Sequence, residues 1–381
     1  MAANNILMTI GNTPLVALER LGGRLGCRLF AKLEAPNPGG SIKDRAAVAM
    51  IMAGLRNGEI GRRTTIVESS SGNMGIGLAQ ACAYLGLRFI CVVDARTTAQ
   101  NVAILRAYGA QIDVVSEPDP EGGGLVTARI RRVQALLREV ADAFWPNQYG
   151  NEQNALAHRV TMHEIATELK DAVEYLFCPA STCGTIRGCA DYVKERGLAT
   201  QIIAVDAVSS AIFAGGSVHG EKQRRLIPGH GSGIRPQLYR EDLAKVCIHV
   251  SDLECVIGCR RLVRYEGILA GGSSGAAYMA VERAGESIPE GAVCVIMCPD
   301  RGERYLDTIY SDTWVRRHFG DVSGLWDEPR RARRGSKGAY VRRSPVGLSQ
   351  CAWRRGGARG GVEGATRNGG VGRHCGTQVQ R

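Results

Sequence analysis

The hydrophobic positions of this chain form short apolar runs that alternate with longer segments of helical periodicity. Apolar runs of strand length occur at 64–68, 89–94, 111–115, 175–178, 202–206, 246–250 and 293–298. Segments with helical periodicity lie between them, at 76–85, 98–108, 126–141, 186–196, 253–265 and 274–284. Alternation of this kind predicts parallel sheets that are covered by helices.

The alternation occurs in two blocks that meet near residues 145–154, which predicts two α/β domains. Ligands of such folds bind at the carboxyl ends of the strands, because the loops that follow the strands lie together there. Polar motifs that come directly after predicted strands are therefore the first candidates for a functional site.

From about Asp321 onward the sequence loses its apolar periodicity, and residues 321–381 are predicted to form a disordered Arg/Gly-rich tail. The net charge of +11 belongs to this tail, because residues 330–381 hold 13 Lys and Arg residues and one acidic residue. The other 329 residues hold 35 basic and 36 acidic residues, so the body lacks the basic excess of a nucleic-acid-binding protein. Weak RNA binding through the tail is left as a non-enzymatic alternative.

Composition narrows the class of protein further. Apolar residues make up 44% of the chain, no run approaches the ~20 apolar residues of a membrane span, and the N-terminus lacks a signal-peptide pattern. We therefore expect a cytoplasmic protein. The 13 cysteines include no C-x-x-C pair, and no histidines lie near the pairs Cys255/Cys259 and Cys294/Cys298, so we predict reduced thiols and no metal site.

Three polar motifs give the main functional signal: PGGSIKDR at 38–45, SSSGNMG at 69–75 and GGSSGA at 271–276. Together they resemble the pyridoxal-phosphate (PLP) enzymes of the cysteine synthase and tryptophan synthase β-chain type. The resemblance implies PLP as the cofactor, with Lys43 as the lysine that forms the Schiff base and then acts as acid/base at Cα. It also implies a homodimer with the tryptophan synthase β-like fold (PLP fold type II).

That fold has two three-layer α/β domains with mainly parallel sheets, and its active site lies between them. On this basis we expect a large PLP-binding domain from residues 1–40 and 150–320. Residues 41–149 are expected to form a small domain that clamps the substrate.

The loop STCGT at 181–185 follows a predicted strand and opens a predicted helix. Backbone N–H groups at a helix N-terminus bind anions, and Ser and Thr hydroxyls add donors, although the same residues also serve as ordinary N-caps. By resemblance this loop holds the cofactor phosphate, while Asn73 contacts the 3′-oxygen and Ser273 contacts the pyridine nitrogen. The cofactor-binding candidates are Lys43, Asn73, Ser181, Thr182, Cys183, Gly184, Thr185 and Ser273.

A second group of candidates holds the substrate. Ser70, Ser71 and the main chain through Met74 follow a predicted strand, and we expect them to bind an α-carboxylate at the start of the next helix. By resemblance, Gln148 touches the same carboxylate. Met74 replaces the threonine that is common in cysteine synthases, so one hydroxyl is missing.

Longer stretches are similar to one branch of the family, the N-(2-amino-2-carboxyethyl)-L-glutamate synthases. They include FAKLE at 30–34, CVVD at 91–94, GCRRL at 258–262 and YEGILAGGS at 265–273. The resemblance implies a β-replacement that joins O-phospho-L-serine to L-glutamate and releases phosphate, as a supply of 2,3-diaminopropionate for a siderophore or a nonribosomal peptide antibiotic. Ser273 agrees with β-replacement, because a hydroxyl does not keep the ring nitrogen protonated and leaves the ring a weaker electron sink.

Arg235 bears on the choice of substrates. Phosphoserine and glutamate carry more negative charge than O-acetylserine and sulfide, and Arg235 lies in the loop GHGSGIRP at 229–236, where cysteine synthases have an apolar segment. We expect Arg235 to bind either the leaving phosphate or glutamate. The alternative enzyme is a cysteine synthase that uses O-acetylserine or O-phosphoserine with sulfide, and Arg235 and Met74 count against it.

Overall fold

The computed structural model describes residues 3–121, 124–213 and 225–327, which form one sheet of six strands and one of four. The large sheet has the order β1 (Leu15–Ala17), β2 (Arg28–Leu33), β10 (Val293–Cys298), β7 (Tyr175–Pro179), β8 (Gln201–Ala207), β9 (Val246–Val250). The small sheet has the order β5 (Gln111–Val115), β4 (Arg88–Asp94), β3 (Thr65–Ser69), β6 (Ala143–Phe144). Neighbouring strands are parallel, except that β1 is antiparallel to β2.

The helices connect successive strands, and local sequence sets their ends. They are α1 (Glu19–Leu25), α2 (Lys43–Arg56), α3 (Asn73–Leu85), α4 (Ala99–Ala107), α5 (Gly124–Glu139), α6 (Glu152–Glu168), α7 (Gly184–Arg196), α8 (Asp252–Glu266), α9 (Gly272–Ala284) and α10 (Asp312–Phe319). Ser251 and Glu254 form a capping box at the start of α8. Gly86 and Gly197 adopt the left-handed conformation that ends α3 and α7, which glycine reaches without steric cost.

Each sheet has a hydrophobic core on both of its faces. On the large sheet, Tyr278 of α9 is buried on one face and Met162 of α6 on the other. On the small sheet, Leu78 of α3 is buried on one face and Val133 of α5 on the other. Helices therefore cover both faces of both sheets, which confirms the predicted three-layer α/β architecture with mainly parallel strands.

The structure adds several elements to the predicted set and moves one boundary. The prediction omitted β1, β2, β6, α1, α6 and α10. The ordered chain also continues past Asp321 into a 3-10 helix at Ser323–Trp326, where Arg261 donates to the Leu325 carbonyl at 2.7 Å and Trp326 packs against the large-sheet core. The predicted tail therefore begins too early, and its remainder, residues 328–381, lies outside the described residues.

Two global features bear on the class of protein. Within the described ranges, no helix is long and apolar enough to span a membrane. No disulfide links the cysteines of the same ranges, and no group of His, Cys, Asp and Glu side chains there is arranged to hold a metal ion.

Candidate active site

The loops that carry the three sequence motifs meet around Asp300, which follows β10. Ser41, two residues before Lys43, pairs with Asp300 in an isolated antiparallel bridge. Gly271 donates its N–H to the Asp300 carbonyl at 3.2 Å, and the Asn73 amide donates to Asp300 Oδ2 at 2.8 Å. The fold thus brings together motifs that are more than 200 residues apart in sequence.

Lys43 is the first residue of α2, and its side chain is partly buried. Burial lowers the pKa of Lys43, while Cys178 and the Asp300 carboxylate act in the opposite direction. A lysine with a lowered pKa is more often neutral, and only the neutral amine can attack a carbonyl or accept a proton. The environment of Lys43 therefore suits an imine-forming lysine.

The lysine loop, residues 38–45, is built tightly around its two glycines. The Gly39 N–H donates to Asp44 Oδ2 at 2.5 Å, and a Cβ at Gly39 would lie 2.5 Å from Asp44 Oδ1. Gly40 has a φ of +85°, and a Cβ there would lie 2.5 Å from Arg301 Nε. Burial raises the pKa of Asp44 to about 7. Larger residues at either glycine would displace the turn that presents Lys43.

Arg45 anchors the same loop to the large sheet through buried ion pairs. Its guanidinium lies 2.8 Å from Glu34 and 2.7 Å from Glu164, which belongs to α6. Lys32 of β2 completes the group, 2.7 Å from Glu164. Because Arg45 has anionic partners on two other elements, the first turn of α2 is fixed in position.

The segment 300–305, which follows β10, fixes the orientation of Asn73. Arg304 donates to the Asn73 side-chain oxygen and, at 2.5 Å, to the Gly39 carbonyl. The Tyr305 hydroxyl donates to Asp300 Oδ2 at 2.5 Å, next to the Asn73 contact. The Asn73 amide is therefore held at both its oxygen and its nitrogen.

The predicted phosphate loop lies between β7 and α7, as the sequence indicated. Cys183 adopts a left-handed φ of +65°, so that α7 begins at Gly184, and Ser181 donates to the Gly231 carbonyl at 3.3 Å. Thr185 is buried in the first turn of α7, where backbone N–H groups have no intrahelical partner. Burial raises the pKa of Cys183 to about 12, and nearby Lys43 lowers it, so the thiol stays neutral beside an anion site.

In the predicted carboxylate loop, the side chains of Ser70, Ser71 and Met74 all contact other protein groups. The Ser70 hydroxyl accepts the Gly75 N–H at 2.9 Å, and the Ser71 hydroxyl donates to Asp94 at 3.0 Å. The Met74 side chain is 2% exposed and packs in the small-sheet core. Of Met74, therefore, only the main chain is free to bind a substrate.

Gln148 lies beside this loop, as the resemblance implied. Its side-chain amide donates to the Ser69 carbonyl at 3.0 Å, and its backbone N–H donates to Glu68 at 3.1 Å. Glu68 is buried and also accepts from the Trp145 indole at 3.1 Å, and burial raises its pKa to about 7. This carboxyl, which the sequence reasoning missed, holds the segment that carries Gln148.

Two further residues of the site were not predicted. Asn154 of α6 donates to the Gln148 carbonyl at 2.7 Å and to the Thr182 hydroxyl at 3.3 Å, so it joins the substrate loop to the phosphate loop. Arg129 of α5 contacts the Ser71 hydroxyl and lies 3.3 Å from Asp94. The sequence offers one signal for supporting residues of this kind. Glu68 is a charged residue inside a buried strand, and a buried charge needs hydrogen-bond partners.

Ser273 is the second residue of α9, two residues after Gly271. Its side chain is 7% exposed, and its hydroxyl forms no hydrogen bond with any residue that the structure describes. The hydroxyl is therefore free to bind a ligand atom such as a ring nitrogen.

Arg235 lies on the segment that we call the glycine loop, residues 225–236. Gly231 of this loop donates its N–H to the Ala180 carbonyl at 2.8 Å, which places the loop against the phosphate loop. Arg235 itself is exposed, and its guanidinium stacks 4.7 Å from the Tyr239 ring centroid. Its charge acts on Cys183, so Arg235 lies at the rim of the site rather than in its interior.

The residues present fit PLP. The first turn of α7, with Ser181 and Thr185, would hold the phosphate, because its N–H groups are free and the Cys183 thiol is neutral. Lys43 offers a partly buried amine of lowered pKa, and Ser273 offers a hydroxyl without a protein partner. These groups match the chemical needs of the cofactor's phosphate, carbonyl carbon and ring nitrogen.

Comparisons with known proteins identify the family. The profile of the family described as pyridoxal-phosphate dependent enzymes matches residues 6–300. A cysteine synthase structure from Entamoeba histolytica is 31% identical, with a TM-score of 0.75, over 87% of this chain and 97% of that chain. An O-acetylserine-dependent cystathionine β-synthase from Helicobacter pylori is 32% identical, with a TM-score of 0.74, over 82% of this chain and 100% of that chain.

A hydrogen sulfide-producing enzyme from Fusobacterium nucleatum is 31% identical, with a TM-score of 0.73, over 80% of this chain and 100% of that chain. These structures carry different printed activities on one fold, so the fold alone does not select the substrates. The family match and the near-complete coverage of the related structures establish the wider assignment. The chain belongs to the PLP-dependent enzyme family that includes the cysteine synthases.

Proposed function

We propose that this enzyme catalyses a β-replacement that joins O-phospho-L-serine and L-glutamate. The products are N-(2-amino-2-carboxyethyl)-L-glutamate and phosphate, so the Cβ–O bond of phosphoserine breaks and a bond from Cβ to the glutamate nitrogen forms. The observation that carries the proposal is the cationic glycine loop against the phosphate loop: Arg235 on it has no carboxylate partner among the described residues. An arginine near the site without a carboxylate partner favours substrates with acidic groups beyond the α-carboxylate.

Lys43 is proposed to move the proton in this reaction. Bound PLP supplies a conjugated electron-withdrawing group that acidifies Cα–H of the attached amino acid. The amine of Lys43, whose pKa is lowered by burial, would take the Cα proton as phosphate leaves and return it after the glutamate nitrogen has added to Cβ. The glutamate ammonium must lose one proton before it attacks, and the leaving phosphate takes up one proton, which balances the reaction.

The remaining roles follow from position. We propose that residues 181–185 hold the phosphate of the cofactor, that Asn73 contacts its 3′-oxygen and that Ser273 contacts its ring nitrogen. The main chain at Ser70, Ser71 and Met74, with Gln148, holds the α-carboxylate at the start of α3. We further propose that the large and small sheets mark the two predicted domains and that the enzyme is a homodimer.

The second candidate is a cysteine synthase that uses O-acetylserine or O-phosphoserine with sulfide. The cysteine synthase of Entamoeba histolytica is among the similar structures. This similarity supports the same reaction class, but only through the shared fold. Sulfide has no carboxylate, however, so it would give the arginine side chains of the glycine loop no acidic group of the acceptor to bind. The two candidates differ in the acceptor and are separated by one assay.

The assay incubates the holoenzyme with phosphoserine and ¹⁵N-labelled glutamate, and measures the product mass together with released phosphate. We expect one labelled product molecule for each phosphate released. Parallel reactions replace glutamate with sulfide, or phosphoserine with O-acetylserine. Efficient cysteine formation with no labelled product from glutamate would establish the cysteine synthase and overturn the proposal.

A further inference from the structure

Arg225, the first described residue of the glycine loop, lies closer to the interior than Arg235 does. Its side chain is partly buried against Gly233, where an added Cβ would lie 3.3 Å from Nη2. Its Nη1 atom is buried and has no hydrogen-bond partner among the described residues. A buried guanidinium nitrogen without a partner is costly, so the arrangement needs a compensating group.

The carboxylates nearest to Arg225 do not fill this need. Asp206 and Asp252 act on Arg225 electrostatically, but neither forms an ion pair with it within the part of the chain that the structure describes. Asp206 accepts backbone N–H groups instead, from Ala207 at 2.9 Å and Phe213 at 3.1 Å. Asp252 is likewise occupied by a backbone donor of the glycine loop, at 2.8 Å. Nη1 of Arg225 therefore remains available for a ligand.

His230 supplies a second, independent sign of a ligand next to Arg225. Its side chain is 2% exposed, and neither ring nitrogen has a partner among the described residues. Burial lowers the pKa of His230 to about 4, and the positive charges of Arg225 and His249 act in the same direction. The ring is thus neutral near pH 7, with one N–H that can donate to an oxygen.

The neighbours of Arg225 and His230 indicate where these two residues lie relative to the site. Gly231, the residue after His230, donates its backbone N–H to the Ala180 carbonyl, directly before the phosphate loop. Burial raises the pKa of Tyr149, the neighbour of Gln148 in sequence, and the positive charge of Arg225 acts to lower it. The glycine loop therefore contacts the start of the phosphate loop, and the charge of Arg225 acts on the segment that carries Gln148.

We propose that Arg225 and His230 form an oxyanion subsite that binds the acidic group of a substrate other than its α-carboxylate. The bound group is a carboxylate or a phosphate, held by the guanidinium and by the neutral imidazole N–H. The proposal rests on the proposed function for the origin of this oxyanion, which is either the side-chain carboxylate of the acceptor or the leaving phosphate of the donor. It assigns substrate selection to Arg225 rather than to the exposed Arg235.

The test compares Arg225→Gln, Arg225→Lys and His230→Asn holoenzymes with wild type by calorimetric titration of glutarate and of inorganic phosphate. Arg196→Gln, a change at an exposed arginine at the end of α7, is the matched control, and Arg235→Gln tests the competing residue. We expect Arg225→Gln to weaken binding of one of the two probes roughly 10- to 100-fold, because a charge-assisted bidentate contact is lost. Arg225→Lys should keep part of the affinity, since it keeps the charge without the fork.

Loss for glutarate identifies the acceptor carboxylate, and loss for phosphate identifies the leaving group. Release of phosphate from phosphoserine, followed without glutamate, checks that assignment in the reaction. If Arg225→Gln binds both probes within about 2-fold of Arg196→Gln, or if wild type binds neither, the subsite is overturned. If wild type makes no product from glutamate while Arg225→Gln still loses a probe, the proposed function fails and the subsite stands. The cofactor absorbance of each variant confirms that it is folded.

Discussion

The lysine loop and the glycine loop flank the same site but are built in opposite ways. In the lysine loop, Asp44 and Arg45 are buried in hydrogen bonds and ion pairs with their neighbours. In the glycine loop, the partly buried Arg225 and the buried His230 have buried nitrogens without a partner in the described residues, and Arg235 is exposed. The difference is that the arginine of the lysine loop is paired within the protein, whereas the basic side chains of the glycine loop keep nitrogens that a ligand can use.

Removal of Lys43 should have the largest effect. We expect Lys43→Ala to lower turnover by roughly 10²- to 10⁴-fold or more, because it removes the acid/base at Cα. Borohydride reduction of the wild-type holoenzyme, followed by peptide mapping, should place the cofactor on Lys43. Lys194→Ala, at an exposed lysine of α7, should retain normal turnover. A reducible cofactor adduct at another lysine in Lys43→Ala would show that the assignment is wrong.

Loss of Arg45 tests whether the lysine loop is as tightly fixed as its contacts indicate. Arg45→Met leaves Glu34 and Glu164 without their main partner, and we expect it to lower the free energy of unfolding by about 3–5 kcal/mol. Arg132→Met, which breaks the more exposed pairs to Asp113 and Glu139, should cost about 0–1 kcal/mol. Urea denaturation measures both. Equal losses would contradict the structural distinction between these two arginines.

The same ion pairs give the stability a pH dependence of defined sign. The pKa of Glu164 is lowered to about 2: burial acts to raise it, but hydrogen bonds from Arg45 and Lys32 and the charge of Arg45 outweigh burial. A carboxyl with a lowered pKa in the folded state stabilises the protein above its unfolded-state pKa of about 4.3. This contribution is lost as the pH falls toward about 2. The urea midpoint of wild type should therefore decrease between pH 5 and pH 3 more than that of Arg45→Met.

The cofactor contacts should separate into anchoring and tuning roles. We expect Ser273→Ala to lower turnover while PLP stays bound, because one neutral hydrogen bond contributes only about 1 kcal/mol. Thr185→Ala should weaken PLP retention more, since its hydroxyl lies in the phosphate loop, where contacts are charge-assisted. Dialysis followed by absorbance measures the cofactor that remains. Complete cofactor loss from Ser273→Ala, with Thr185→Ala unaffected, would reverse these roles.

The sequence predicted the strands well because their apolar runs are continuous. The runs at 246–250 and 293–298 have the bounds of β9 and β10. The sequence did not predict helix α6, because this helix shows no apolar periodicity. Its buried face carries polar side chains, among them Asn154, His158 and Thr161. Strand β6 has two residues, too few for any pattern.

The site was predicted in part for a related reason. Glycine-rich motifs can be recognised locally, and their resemblance to the family led to Lys43, Asn73 and Ser273. The residues that hold these loops together depend on tertiary contacts between distant elements. Asn154 is 28 residues from Thr182, and neither this spacing nor the residue types predict the contact between them. The same limit explains why Arg235, which stands out in the sequence, proves to be exposed, while Arg225 is partly buried.

Deletion of residues 330–381 should have the smallest effect and extends the comparison to a third region. These residues carry 13 Lys and Arg residues and one acidic residue, and they show no apolar periodicity that would support a core. The described residues that we assign to the site all precede residue 306, and the packing of Trp326 marks the last described contact with the core. Turnover and the thermal midpoint of the shortened chain should therefore match wild type, while its isoelectric point falls from basic to near neutral or acidic. RNA binding that weakens with salt and disappears on deletion would assign the tail a separate role, whereas a large loss of turnover would show that it contributes to the site.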